Sequence, residues 1–179
     1  MNPIPLDKKR FQKIIQFYLF ECPVRTRGKI SKNERDQDDP QAQYKFSYNK
    51  VSKRGVTFQD RNLDGPRLNV LRAAMIRVSK AALIAVNSQE DVITTAQKQL
   101  NDYIVIWKNE QRVSVTEGYF YCIRNALAHG DFDVNNKIYT FRNESGNKVK
   151  GLAKIKESSL LSWIELVNMD IDDIKKAGR

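Results

Sequence analysis

The chain contains a single histidine, His129, and it stands at the end of the run Arg124-Asn125-Ala126-Leu127-Ala128-His129-Gly130. A guanidinium binds phosphate bidentately and stabilises charge developing on a pentacovalent phosphorane, while imidazole titrates near neutrality and can move the proton of a ribose 2′-hydroxyl. Arg124 with His129 is therefore the smallest set that cleaves RNA. Asn125 adds a neutral donor and acceptor that can orient the ring or a phosphate oxygen. The plainer account of the same residues is a histidine stabilised by the dipole at a helix C-terminus, with Arg124 pairing Glu117 at the surface.

Those residues need a helix to carry them. Ser114 followed three residues later by Glu117 is a capping box, and Val115, Tyr119, Cys122 and Ala126 then recur on one face. The spacing predicts a helix that ends at Ala128-His129-Gly130. On it Arg124 lies about 200° round the axis from both Cys122 and Ala126, off the core stripe, on the side of Glu117, Phe120 and Tyr121. His129 is about 140° from Arg124 if the helix continues; a turn at Gly130 lets the two side chains converge.

Other segments supply the scaffold. Phe11, Ile14, Ile15, Tyr18, Leu19 and Cys22 predict a helix from about Asp7 to Glu21, stopped by Pro23. From Val24 to Gly65 the pattern dissolves into a long basic insertion, with an aromatic alternation at Tyr44, Phe46 and Tyr48 and the stretch Val56 to Phe58, which allows a strand or two. Leu68, Leu71, Met75, Val78, Ala82 and Ala85 predict a second helix from Pro66 to about Asn87, its apolar AALIAV part central. A third, capped by Ser88, buries Ile93, Ala96, Leu100, Tyr103 and Trp107. After His129 the period changes to two. Ile138 to Arg142 and Lys148 to Lys156 flank the turn-rich NESGN as a hairpin whose Val149, Gly151, Ala153 and Ile155 face inward and whose lysines face solvent. A short helix from about Ser159 to Asn168 docks through Leu160, Leu161, Ile164 and Val167, and the tail from Ile171 frays. The expected architecture is one mainly α domain: a helical bundle with a hairpin-helix at about 137–168 and without βαβ alternation.

Composition narrows the function. The 179 residues carry 31 Lys and Arg against 21 Asp and Glu, a net charge of +10, and this balance favours a polyanion as partner. Two cysteines, Cys22 and Cys122, have no metal-ligand or disulfide spacing, so free thiols are expected and no cofactor or metal is implied. The acidic runs DQDD and DIDD read as solvated loop and tail. No apolar run is long enough for a membrane helix, and the N-terminus lacks a signal-like region, which suits a cytoplasmic protein. Lys148, Lys150 and Lys154 are candidate RNA contacts together with Glu117 and Tyr121, although a lysine row also serves as a solvated sheet edge.

A helix ending in R-N-A-L-A-H-G, followed by a hairpin and KESSLLSWIELV, resembles the Arg, polar residue, three residues, His signature of the HEPN superfamily, in the group found in toxin and anti-phage settings. The likeness spans Leu68 to Met169 loosely. It implies an α bundle, metal-independent endoribonuclease activity with Arg124, Asn125 and His129 at the motif positions, and a dimer whose composite cleft apposes two motifs. Two chains would then supply both the base and the acid that scission needs. It also implies a neighbouring antitoxin or sensor protein. Many members have Tyr two residues after the His, where this chain has Asp131, so the likeness does not extend to modification by a partner nucleotidyltransferase. Two other functions suit the sequence: a non-catalytic RNA- or partner-binding subunit, and a basic DNA-binding protein, which lacks here the tight Gly turn and polar recognition helix.

Overall fold

The computed structural model describes residues 6–29, 44–48, 58, 63, 65–108 and 114–177, with 25–29 and 44–48 described by backbone alone. The first helix is as expected. Asp7 caps α1, Lys8–Ile15, by accepting from the amides of Lys9 and Arg10, and the helix continues as a π-helical turn, Gln16–Glu21. The Tyr18 hydroxyl donates to the Leu160 carbonyl at 3.0 Å, and Arg10 pairs with the buried Glu157 at 3.3 Å, so this N-terminal element is tied to the C-terminal one. In the basic insertion, β1, Arg25–Lys29, and β2, Tyr44–Tyr48, form an antiparallel pair of their own. The DQDD run and Val56 lie outside the described residues.

The expected mainly α bundle is wrong: the domain is an α/β fold around a five-stranded mixed sheet. Helix α2 spans only Pro66–Ser79, ended by Lys80 in the left-handed conformation at φ 56°. AALIAV is not helix; Ala82–Val86 is β3, at one edge of the sheet. A short apolar run has no period that separates strand from helix, and the left-handed Lys80 turns the chain before the apolar pattern ends. Helix α3 is Glu90–Gln97, with the Ser88 hydroxyl accepting from the Asp91 amide at 3.2 Å, and it stops short of Leu100, which is 96% exposed. Tyr103–Trp107 is β4, parallel to β3, so β3, α3 and β4 make the βαβ unit that the sequence reading excluded.

The second half follows α4, Val115–His129. Strands β5 (Phe132–Asn135), β6 (Ile138–Ser145) and β7 (Lys148–Lys156) form a meander. Its two-residue turns, Asn136-Lys137 and Gly146-Asn147, have positive φ at both positions, the geometry that matches strand twist. The sheet order is β3-β4-β7-β6-β5. The β7 lysines therefore sit on the central strand, not on a solvated edge. Helix α5, Glu157–Val167, buries Leu160, Trp163, Ile164, Leu166 and Val167. The tail does not fray: Ile171–Ala177 forms α6 with Ile174 fully buried and Lys175 and Lys176 paired to Asp172 and Asp173.

One sheet face carries α4 and the main core; the other carries α3, whose Val92 and Ala96 pack on Val105 and Val149. Val149 reaches that side because the register slips between Asn143 and Glu144, leaving Lys150 as an extra residue that flips the pleat. It is thus not on the face of Gly151, Ala153 and Ile155, as simple alternation requires.

Gly151 lies where α4 presses closest. A Cβ there would stand 2.6 Å from Cys122 Sγ and 3.3 Å from Ile106 Cγ2. Gly151→Ala is expected to lower stability by about 1–3 kcal/mol, the usual range for overpacking, and Cys122→Ala in the same chain to restore part of it. Urea midpoints of the two single variants and the double one check this; additive losses would show that the two positions do not collide.

Candidate functional site

Helix α4 begins as the capping box requires, with Ser114 Oγ accepting from the Glu117 amide at 3.1 Å. It crosses the sheet obliquely along residues spaced four and three apart. Gly118 meets Ile106 on β4, Cys122 overlies Gly151 on β7, and Asn125 reaches Asn143 on β6. The helix ends at Gly130, φ 75°, where the Asp131 amide closes back on the Ala126 carbonyl at 2.8 Å.

Within this frame Arg124 Nη1 donates to Asn125 Oδ1 at 3.1 Å, and Asn125 Nδ2 approaches Asn143 Oδ1 at 3.5 Å, the outer limit of a hydrogen bond. Arg124 is half-buried, and its Nε is buried without a partner. His129 is exposed on the last turn. Because α4 stays helical through His129, the ring remains about 140° round the axis from Arg124, and no hydrogen bond joins His129 to Arg124 or Asn125. The turn at Gly130 comes one residue too late to converge them within one chain.

The remaining candidates are dispersed. Glu117 is 4% exposed and Tyr121 half-buried against the core, so the face of α4 read as surface is partly interior. Lys154 pairs in register with Tyr103 and Thr140 and lies on the sheet face opposite α4, beside a shallow groove of about 310 Å³ lined by Tyr103, Asp131, Thr140, Arg142 and Leu152. Lys148 is exposed near the β6–β7 turn, and Lys150 is half-buried at the bulge. Asn143, 7% exposed, was not singled out in the sequence; an Asn two residues before a Ser-Gly turn reads as turn chemistry, and only the register brings it under α4.

Burial raises the pKa of one thiol and two phenols in the core. Burial pushes the Cys122 thiol up to about 12, partly opposed by a backbone hydrogen bond from Asn143, which leaves it inert as a nucleophile. Tyr119 is pushed to about 12 by burial, with Arg72 pulling the other way, and Tyr139 to about 12 by burial and then by Glu157 and Asp7. Each of these acids holds its proton in the folded chain to a higher pH than in the unfolded one. Their contribution is whole below about pH 9 and falls as pH rises toward 12. Urea midpoints are accordingly expected to drop between pH 9 and 11, with a smaller drop in Cys122→Ala; a flat profile would contradict this.

No protein-family model, curated protein or solved structure matches the chain. No described helix is long and apolar enough to cross a membrane. Among the described residues no group of three or more His, Cys, Asp or Glu side chains is placed to hold a metal ion.

Proposed function

We propose that the protein is an endoribonuclease that cleaves RNA by attack of a ribose 2′-hydroxyl on the adjacent phosphate, with Arg124 on the phosphate and His129 moving the proton. The observation that supports it is the Arg124-Asn125 pair, approached from one side by Asn143, with Arg124 five residues before the chain's only imidazole on the same helix. Among the described residues the guanidinium meets one acceptor, Asn125 Oδ1, through Nη1, and Nε is buried, so Nη2 is the nitrogen proposed to meet a phosphate oxygen. In the reaction the 2′-oxygen loses its proton to imidazole and bonds to phosphorus, the bond from phosphorus to the 5′-oxygen breaks, and that oxygen takes a proton from water. The products are a 2′,3′-cyclic phosphate and a 5′-hydroxyl. The net charge of +10 supplies the long-range attraction.

A second reading is RNA binding without turnover. The continuous helix through His129 favours it, because the imidazole and the guanidinium stay on different sides of α4. Labelled RNA separates the two. Cleavage in excess EDTA, giving cyclic phosphate ends and sparing a strand whose cleavage-site 2′-hydroxyl is replaced by hydrogen, supports the nuclease. Salt-sensitive retention of intact RNA supports the binder. Cleavage that stops with EDTA and returns with Mg²⁺ overturns the proposed chemistry, and neither binding nor cleavage overturns both readings.

A further inference from the structure

Strand β3 is an edge of the sheet among the described residues, and its five side chains, Ala82-Leu83-Ile84-Ala85-Val86, carry no charge. Its inner side is occupied. The Ala82 amide donates to the Asp102 carbonyl at 2.9 Å, and the Lys108 amide to the Val86 carbonyl at 2.6 Å, so residues 82, 84 and 86 turn their backbone groups to β4. In a parallel ladder the alternate residues turn theirs away. Leu83 and Ala85 therefore present N–H and C=O groups outward. The one outward group with a described partner is the Leu83 carbonyl, which accepts from Arg72 Nη2 at 2.9 Å. Natural edges are blunted by charge, proline or a bulge, and the outer rim of β3 has none of these on the strand itself.

We infer that β3 pairs antiparallel with β3 of a second copy about a two-fold axis at Ile84. The strand is self-complementary in that register. Leu83 meets Ala85 of the partner as a hydrogen-bonded pair, Ile84 meets its own copy as a non-hydrogen-bonded pair, and Ala82 meets Val86. Every cross-strand contact is apolar to apolar. That neutrality matters in a chain of charge +10, because two copies can join here without setting like charges directly opposite. The Leu83 carbonyl has a second lone pair, so Arg72 need not be displaced. Ile76, 39% exposed, follows Arg72 by four residues on α2 and so lies on the helix face that reaches the strand, where it adds apolar contact beside the seam. Helix α4 points its His129 end toward β5, at the far side of the sheet. The pairing thus keeps the two histidines apart, unlike the composite cleft that the HEPN likeness implies, and it is independent of the RNA reading.

Light scattering of the whole chain, with its concentration varied, is expected to show a dimer that strengthens as salt screens the like net charges. Ala85→Pro removes one outward N–H and leaves the β4 ladder intact, and it should give a monomer with an unchanged far-ultraviolet spectrum. If that variant unfolds, cross-linking still decides. Ile84→Cys should form a reducible covalent dimer on oxidation, since paired strands bring its copies within disulfide reach and the native Cys22 and Cys122 are buried. Thr94→Cys, exposed on α3, should not. A monomeric wild type at every concentration, or cross-linking no faster at Ile84 than at Thr94, overturns the inference.

Discussion

His129→Ala is expected to lower RNA cleavage by about 10²–10⁴-fold, the usual contribution of a positioned general acid or base, while its thermal midpoint stays near that of the wild type. The side chain is exposed on the last turn of α4 and makes no described hydrogen bond. Removing an exposed side chain of this kind changes stability by no more than about 0.5 kcal/mol. Arg124 is the informative companion. It is half-buried, so Arg124→Ala is expected to lower the midpoint as well as the rate. Arg124→Lys keeps the charge but loses the planar fork that Asn125 orients. The lysine variant should therefore hold RNA with nearly wild-type salt dependence and cut it poorly. Equal cleavage by His129→Ala and wild type would leave RNA binding as the surviving function.

Trp163→Ala is expected to lower stability by about 3–5 kcal/mol, a large part of the 5–15 kcal/mol that holds a typical domain folded. The indole is fully buried in α5 and donates through Nε1 to the Met75 carbonyl of α2 at 3.1 Å, so it both fills the core and fastens two helices. Trp163→Phe should be milder. The Met75 carbonyl also accepts from the Ser79 hydroxyl at 2.6 Å, so loss of the indole donor does not orphan it; the cost reduces to volume and one hydrogen bond. Urea unfolding of both variants checks the order, and a phenylalanine variant as unstable as the alanine one would mean that the hydrogen bond, not the volume, dominates.

The parts of the chain that were legible are those where a local chemical signal marks the boundary. Asp7 and Pro23 bracket the first helix, Ser114, Glu117 and Gly130 bracket α4, and the Ser-Gly-Asn turn aligns β6 with β7. The errors lie where spacing was followed across a missing boundary. Ala82 and Ala85 continue the three-and-four rhythm of α2, although the left-handed Lys80 has already ended the helix. Tyr103 and Trp107 continue that of α3 across Leu100-Asn101-Asp102, although YIVIW is as β-prone as any stretch in the chain. Asp102 is a boundary with a tertiary cause. Its buried carboxylate accepts from the Lys156 amide at 3.0 Å and the Ser159 hydroxyl at 3.2 Å, at the start of α5, a partnership 54 residues away that no local pattern carries. At the site, the residues on α4 were readable because they belong to one helix. Asn143 and the opposite-face position of Lys154 depend on register, which the Lys150 bulge alters.

The strand order also dictates how the molecule comes together in time. The meander β5-β6-β7 is joined by two-residue turns and is local, as is the unit from β3 to β4. The ladder between β4 and β7 pairs Tyr103 with Lys154 and Ile106 with Gly151, closing loops of about 45–50 residues. Closing a loop of that length costs chain entropy before its contacts form, so the ladder between β4 and β7 is expected to form after the two local units, which pulse-labelled hydrogen exchange would show as later protection of the β4 amides than of the β5-β6-β7 turns. Gly151 and Gly118 mark the closing step, because α4 can seat only after β4 and β7 lie side by side beneath it. A side chain at either glycine would then act on the rate of assembly as much as on the depth of the native well.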